Sequence, residues 1–285
     1  MKSARKSVLI VGCGYIGLPL ARRFSTNGWQ VVGLTGSEES AATLSSESFP
    51  VIGLDVTTSL DRLQPRAFEI VVHCASSGRR GPQVYEATFL HATRNLLTAL
   101  AVNHFIFVSS TSVYRQIDGS WVDENCQAEP LRETGLILRA AEEIVSEQKG
   151  TVARLAGIYG PDRCVPLRKL LDQTAVIEGE GERLMNLIHR DDAVSALFFL
   201  AEKNLRGIYN VTDDEPVSQL DWFRHVCNQL GRPLPPFGPR DTTRKRGWTS
   251  KRVSNQKLRQ AGWTPRFETF REGLDPLLGQ VKSQS

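Results

Sequence analysis

The 285-residue sequence contains few sulfur side chains, with two methionines and five cysteines. The cysteines are odd in number and widely spaced: Cys13, Cys74, Cys126, Cys164 and Cys227. No two of them have the spacing of a metal site, and the pattern is not that of a disulfide framework. We therefore expect no metal and a reduced, cytoplasmic setting.

Long apolar runs and a dense basic face are also missing. A short apolar run follows the basic residues 1–7 and ends in glycines, which indicates a first strand and not a signal peptide or a membrane span. The net charge is only +4, and the basic residues cluster only at 244–246 (Arg-Lys-Arg) and at Lys251 and Arg252. Nucleic-acid-binding domains carry a denser basic face, so we do not expect nucleic acid as a partner. Because no membrane span is indicated, we do not expect a membrane as a partner either. The two basic clusters either hold a phosphate or carboxylate or form a solvated loop.

The strongest local signal is a glycine-rich turn. Residues 8–11 (Val-Leu-Ile-Val) run into Gly12, Gly14 and Gly17, with Tyr15 and Ile16 inside the turn, and a helix pattern opens after it. In a Gly-x-Gly-x-x-Gly turn the first glycine allows a tight bend and the second lets the backbone approach a pyrophosphate. The third lets the helix pack closely on the strand. Because the turn lies between a strand and a helix, it predicts a dinucleotide site.

Strands and helices alternate along the chain. We predict strands at 8–11, 30–34, 51–54, 70–74, 105–108, 151–155 and 208–211, and helices at 15–27, 84–102, 134–149, 165–171, 190–203, 219–230, 255–261 and 269–278. Short, continuously apolar strands of this kind indicate the α/β class, a doubly wound parallel sheet covered on both faces. The strands end at residues suited to a binding site, namely Gly12, Asp55, Ala75, Ser110 and Gly157.

The end of the second strand informs the choice of cofactor. NAD sites place a carboxylate there for the ribose hydroxyls, whereas this chain has Thr35 and Ser37. The two hydroxyls could donate to a 2′-phosphate, so NADP is favoured over NAD; Glu38 and Glu39 nearby are the counter-argument. Asp55 either hydrogen-bonds the adenine side or forms a turn.

The regular alternation loosens after Tyr159. We predict a dinucleotide-binding domain formed by residues 1–158 and 184–212. Residues 159–183 and 213–285 would form a smaller substrate-binding lobe.

Several motifs, in order over nearly the whole chain, resemble the extended short-chain dehydrogenase/reductase family, the NAD-dependent epimerase/dehydratase group. They are the turn at 12–17, Asp55, His-Cys-Ala at 73–75, the segment 109–114, Arg-Leu-Ala-Gly-Ile-Tyr-Gly-Pro at 154–161, Ile-His-Arg-Asp-Asp at 188–192 and Tyr-Asn-Val at 209–211. The start also resembles sugar-nucleotide 6-dehydrogenases, but the catalytic cysteine segment of those enzymes is missing. The resemblance implies that Ala75, Ser76 and Ser109 contact the cofactor.

The catalytic positions depart from the family pattern. Its members pair a serine or threonine with a Tyr-x-x-x-Lys helix. Here Ser110 matches the serine, but Thr134 and Leu138 replace the tyrosine and the lysine. An alkyl hydroxyl is a poor acid or base near neutral pH, and Leu138 cannot bind ribose hydroxyls. Thr134 therefore either hydrogen-bonds the substrate together with Ser110 or caps its helix.

Other residues also depart from the family pattern. Val11 stands where the family has a further glycine in the phosphate turn. Residues 111 and 112 (Thr-Ser) replace the Asp-Glu of dehydratases, and Met185 replaces an arginine of nucleotide-sugar epimerases, so two family features that serve the substrate are weakened.

Tyr85, Tyr114 and Tyr159 are weaker candidates for a proton donor. The resemblance implies a structural role for His189, and Asp192 is expected to cap or support the helix after it.

Two hypotheses follow. The first is an NAD(P)-dependent epimerase, dehydratase or reductase with altered catalytic residues, acting on a small or phosphorylated carbonyl or alcohol compound that could be sugar-derived. The second is a non-catalytic dinucleotide-binding sensor or scaffold. A homodimer is a candidate assembly for either.

Overall fold

The structure is a computed structural model, and it describes residues 6–58, 60–78, 81–240 and 248–284. Contacts divide the chain into two compact units. The first comprises the residues up to Val113, Pro130–Arg154 and Val194–Tyr209. The second comprises Tyr114–Glu129, Leu155–Ala193 and the residues from Asn210 onward.

The main sheet has seven strands. In chain order they are β1 (Ser7–Val11), β2 (Gln30–Thr35), β3 (Val51–Gly53), β4 (Ala67–His73), β5 (Ala101–Ser110), β7 (Thr151–Leu155) and β12 (Gly207–Val211). Their order across the sheet is β3-β2-β1-β4-β5-β7-β12. β1 pairs in parallel with β2 on one side and β4 on the other. This is the doubly wound, Rossmann-like arrangement that the sequence predicts.

The centre of the sheet forms the core of the first unit. Residues 8–10 of β1 and residues 71–72 of β4 have no exposed surface. Continuous apolar runs of this kind need cover on both faces of a sheet. The helices of this unit are α1 (Gly17–Thr26), α2 (Glu38–Ala42), α3 (Pro82–Glu86), α4 (Ala92–Ala99), α5 (Glu133–Glu147) and, for most of its length, α7 (Arg190–Glu202).

Two helix boundaries differ markedly from their predictions, and one of them is the end of α10 (Phe270–Gln284), which extends to Gln284 and not to 278. The helix expected at 84–102 is continued between α3 and α4 by a π-helical turn, Ala87–His91, and it ends at Ala99. Residues 101 and 102 instead begin β5, where they pair with the start of β4. Their apolar character suits a helix and a strand equally well, so local sequence did not separate the two.

The second unit contains short strands and four helices among its described residues. They are β6 (Trp121–Val122), β8 (Gly157–Tyr159), α6 (Val165–Leu171), β9 (Ile177–Glu178), β10 (Leu184–Met185), β11 (Leu187–His189), β13 (Val217–Ser218), α8 (Gln219–Leu230), β14 (Phe237–Gly238), β15 (Arg252–Val253), α9 (Gln256–Gln260) and α10 (Phe270–Gln284). Its core includes Trp222, Phe223 and Phe270, which are buried. The sequence assigns Tyr114–Glu129 to the first domain. The contacts group this segment with the second unit, since β6 pairs with β15.

No helix in the described part of the chain has the length and apolar character needed to cross a membrane.

Candidate dinucleotide site and catalytic positions

The glycine-rich turn leads from β1 into α1. Gly12 has a φ of +97°, a conformation that favours glycine, and the N–H groups of Gly12 and Cys13 donate to the Leu34 carbonyl at 3.0 and 2.8 Å. A Cβ atom on Gly12 would clash with the backbone of Ala75, and one on Gly17 would clash with the Gly12 carbonyl. Gly12 and Gly17 are thus required by the packing of the turn itself.

Gly14 is different from its neighbours. It is exposed, and a Cβ atom there would meet no atom within 4 Å. The fold therefore does not need a glycine at this position, whereas a pyrophosphate approaching the backbone would.

The start of α1 suits an anion. Its N-cap, Ile16, provides no side-chain hydrogen bond, and the first turn has no acidic residue. The positive end of the helix dipole is therefore not offset by a carboxylate of its own. Ile16 is buried and Tyr15 half-buried on the same turn.

The two cysteines near the turn are packing residues. The Cys74 Sγ donates to the Gly12 carbonyl at 3.5 Å. Burial raises the pKa of Cys13 to about 12 and raises that of Cys74 as well. A thiol with a raised pKa is a poor nucleophile, so neither side chain is a reactive cysteine.

The hydroxyls at the end of β2 are used locally. Thr35 Oγ1 donates to the Ser37 carbonyl at 3.0 Å, and Ser37 caps α2 by accepting a hydrogen bond from the Ser40 N–H. The Glu38 carboxylate lies 2.6 Å from the guanidinium of Arg62, with both side chains exposed. The Arg62 guanidinium therefore lies beside Glu38, one of the two acidic residues that argue against NADP.

The remaining polar residues at the strand ends form turns. Asp55 accepts hydrogen bonds from the Thr57 N–H and hydroxyl at 2.9 and 2.7 Å, which is the turn-forming alternative. Ser76, which follows Ala75, is exposed and accepts from the Gly78 N–H at 3.3 Å.

Ser109 lies in a buried charged network that the sequence did not reveal. Its hydroxyl donates to Glu142 at 2.6 Å, and Glu142 also binds Arg154 and Arg139. Ser109 is 5% exposed and Glu142 is fully buried. The Ser109 side chain thus supports α5 from the end of β5. Only its position beside Ser110 still supports the prediction that Ser109 contacts the cofactor.

Ser110 and Thr134 are both half-buried. Ser110 Oγ accepts a hydrogen bond from the Ser112 N–H at 3.2 Å, and α5 packs against the 3-10 turn Thr111–Val113 that follows Ser110. The N-cap of α5 is Arg132, so the expectation that Thr134 caps this helix is wrong. Thr134 is the second residue of α5.

Leu138 occupies the core and not a polar pocket. It is 1% exposed, one helical turn after Thr134. An aliphatic side chain there is part of the packing, so this position supplies no lysine-like cation.

The three tyrosines considered as proton donors lie in packing positions. Tyr85 is buried with its ring 4.5 Å from that of Phe89. In the second unit, the Tyr114 hydroxyl donates to Asn210 Oδ1 at 2.9 Å. Burial, followed by the nearby Asp213, raises the pKa of Tyr159.

The family motif around His189 is structural, as predicted. His189 is buried between the rings of Tyr159 and Phe267, with centroids at 5.4 and 4.4 Å. Burial lowers its pKa. Asp192 was expected to cap or support the helix after His189. It lies in the first turn of α7, where an acidic side chain suits the helix dipole, which agrees with the expected support. It also accepts the backbone N–H groups of Arg266 and Phe267 at 2.7 and 3.0 Å, so it anchors a distant loop as well.

The basic clusters separate into three cases. Residues 244–246 lie outside the described residues. Arg252 is half-buried and donates to the Gly119 carbonyl. Lys251 is 4% exposed, so the solvated-loop alternative is wrong for this residue.

The parallel sheet and the glycine turn together define a dinucleotide-binding protein of the Rossmann type. More narrowly, the chain belongs to the NAD dependent epimerase/dehydratase family, whose model matches residues 8–212. The resemblance identified from the motifs is confirmed.

Individual relatives and solved structures match this chain over different lengths. Protein YeeZ of Escherichia coli (strain K12) is 31% identical over 251 residues, which cover 81% of this chain and 86% of that protein. The 3-diazoavenalumate denitrifying reductase of a Streptomyces species is 33% identical over 144 residues, covering 45% and 47%. The structure of UDP-glucuronic acid 4-epimerase from Bacillus cereus, in complex with UDP-glucuronic acid and NAD, is 21% identical. It aligns with a TM-score of 0.80 over 98% of this chain and all of that one, a likeness of fold alone.

Proposed function

We propose that this protein is an NAD(P)-dependent oxidoreductase or epimerase that acts on a small or phosphorylated carbonyl or alcohol compound, with an altered set of catalytic residues. The observation that carries the proposal is the turn at 12–17. Its outer glycines are required by packing, while Gly14 is exposed and has free space around it. The membership of an NAD dependent family and the similarity to a reductase support the same conclusion.

The residues of the turn fit a dinucleotide. The backbone at Gly12, Gly14, Tyr15, Ile16 and Gly17 would hold the pyrophosphate, with Ala75 against the turn. The cofactor supplies hydride transfer, and the protein supplies binding and orientation.

NADP is the proposed cofactor in preference to NAD. No acidic side chain stands at Thr35, Gly36 or Ser37, and the first acidic residue after them lies against Arg62. A 2′-phosphate would therefore face no unpaired carboxylate at residues 35–38, since the Arg62 guanidinium offsets the charge of Glu38.

The proposed chemistry is limited to hydrogen bonding by Ser110 and Thr134. The two hydroxyls would orient a carbonyl oxygen, but neither has a pKa suited to proton transfer near neutral pH. Because Leu138 is apolar, this position supplies no charge to assist them. The second unit is proposed to bind the substrate.

A non-catalytic dinucleotide-binding protein is the second candidate, favoured by the same two replacements, Thr134 and Leu138. The test is titration of the chain with NADPH and NADH, followed by assays on carbonyl substrates with the wild type and with Thr134→Tyr plus Leu138→Lys. Binding of NADPH with turnover by the wild type supports the enzyme. Binding with turnover only in the double variant supports the sensor or scaffold, and absence of binding to both cofactors overturns both candidates.

A further inference from the structure

Lys251 is an ammonium group buried without a described counter-charge. Its Nζ donates to the Tyr114 carbonyl at 3.1 Å and to Thr249 Oγ1 at 2.8 Å, and both acceptors are neutral. Within the described part of the chain no carboxylate pairs with it. Lysine is almost never buried unless it is paired, so this position needs a specific reason.

The backbone that carries Lys251 is held on both sides. The Asn186 side chain donates to the Lys251 carbonyl at 3.0 Å and accepts from the Val253 N–H at 2.8 Å. On the other side, the N–H groups of Ser250 and Arg252 donate to the carbonyls of Gln116 and Ser120, at 3.1 and 2.9 Å. The ammonium is thus fixed in place by a rigid segment, as a recognition group needs to be.

The hydrogen bonding around the ammonium is incomplete. A lysine ammonium has three N–H donors, and two of them have described acceptors. Burial lowers the pKa of Lys251 to about 8, because water is excluded and no carboxylate offsets that loss.

We propose that Lys251 determines substrate specificity by binding an anionic oxygen, of a carboxylate or a phosphate, on the substrate of the second unit. An anion would supply both the third acceptor and the missing negative charge. The neighbouring Arg252 differs from Lys251 in that it is half-buried, and its guanidinium donates to the Gly119 carbonyl. A substrate without an anionic group would leave the ammonium unpaired and would be rejected. The inference rests on the proposed function, in that the second unit binds the substrate.

The test is an NMR titration of the full chain labelled in its lysine side chains. The Lys251 signal is the one that Lys251→Met removes. Its pKa is measured in chloride, in inorganic phosphate and in acetate, at a constant ionic strength of about 0.15 M. We expect phosphate or acetate to raise that pKa by about half a unit to one unit, that is, to tighten proton binding roughly threefold to tenfold. The more effective anion identifies the class of substrate group.

Two results overturn the proposal. One is a Lys251 pKa that is the same in all three salts. The other is an equal shift of every lysine signal, exposed Lys169 included, because this would be a general salt effect. If Lys251→Met does not fold, Lys251→Arg identifies the signal, and it is expected to keep a rise in melting temperature with the effective anion.

Cofactor binding separates this inference from the proposed function. Lys251→Met and the matched surface variant Lys169→Met are both expected to bind NADPH as the wild type does. A wild-type chain that binds neither NADPH nor NADH contradicts the proposed function, whatever the anion titration shows. A chain that binds NADPH but shows no specific anion effect contradicts the Lys251 proposal alone.

Discussion

Arg154 binds Glu142 through two hydrogen bonds, from Nε to Oε1 at 3.0 Å and from Nη2 to Oε2 at 2.6 Å. Both side chains are buried, with Arg154 1% exposed and Glu142 not exposed at all. The pair joins β7 to α5, and Ser109 at the end of β5 donates to the same carboxylate. The Glu142 carboxylate therefore links β5, which carries Ser110, and α5, which carries Thr134, to β7.

Glu142→Ala is expected to lower the free energy of unfolding by about 3–5 kcal/mol, because the Arg154 guanidinium would remain buried without its partner. Glu143→Ala is the matched control. Its carboxylate pairs with Arg139 on the surface, with 62% of the side chain exposed, and it should cost less than about 1 kcal/mol. Urea unfolding of both variants measures the difference, and equal losses would contradict a structural role for the buried pair.

Gly14→Ala is expected to fold with wild-type stability but to weaken NADPH binding at least about tenfold, because the new methyl group would stand where the pyrophosphate approaches the backbone. Gly17→Ala should instead destabilise the protein, since its Cβ would clash with the Gly12 carbonyl. Calorimetric titration and thermal unfolding separate the two effects. The control is Gly279→Ala in α10, which also has free space around it. Wild-type NADPH affinity in Gly14→Ala would rule out the proposed pyrophosphate position.

Ser37→Asp is expected to shift the cofactor preference from NADPH towards NADH by about tenfold, because a carboxylate at this position repels a 2′-phosphate and accepts ribose hydroxyls. Aspartate also caps helices well, so α2 should remain intact. Ser37→Asn, a neutral cap of the same size, is the control. The dissociation constants of both cofactors are to be measured for the three proteins. An unchanged ratio in Ser37→Asp would show that Ser37 does not face the ribose.

Asp213 makes stability depend on pH. It is 2% exposed, and burial, followed by the nearby Asp214, raises its pKa well above the ordinary value. The folded state therefore keeps a proton that the unfolded state releases at about pH 4. It follows that Asp213 lowers stability progressively as the pH rises from about 4 through its folded-state pKa.

Asp213→Asn is expected to remove that part of the pH dependence and to be more stable than the wild type at neutral pH. The measurement is the difference between the urea midpoints of the two proteins from acidic to alkaline pH, which cancels the contributions of other groups. A difference that stays constant across this range would show that Asp213 ionises normally in the folded protein.

Much of the first unit was encoded locally. The apolar run of β1, the spacing of Gly12, Gly14 and Gly17, and the apolar faces of the helices each lie within about ten consecutive residues. Strand and helix periodicity follows from backbone geometry, so such stretches predicted the parallel sheet and its turn. The residues at the predicted catalytic positions, Thr134 and Leu138, were equally visible, because they are a matter of residue type.

Only the tertiary structure decided which charged residues are buried and which groups they pair with. Glu142 and Arg154 meet across 12 residues, the loop that Asp192 anchors lies 74 residues away, and Lys251 reaches the Tyr114 carbonyl across 137. Burial of a charge depends on which distant groups desolvate it and donate or accept hydrogen bonds. A local sequence pattern does not identify those distant partners. The sequence alone determined that the chain is a dinucleotide-binding α/β protein, whereas the fold decided that Lys251 is buried and that Ser109 belongs to a buried ion network.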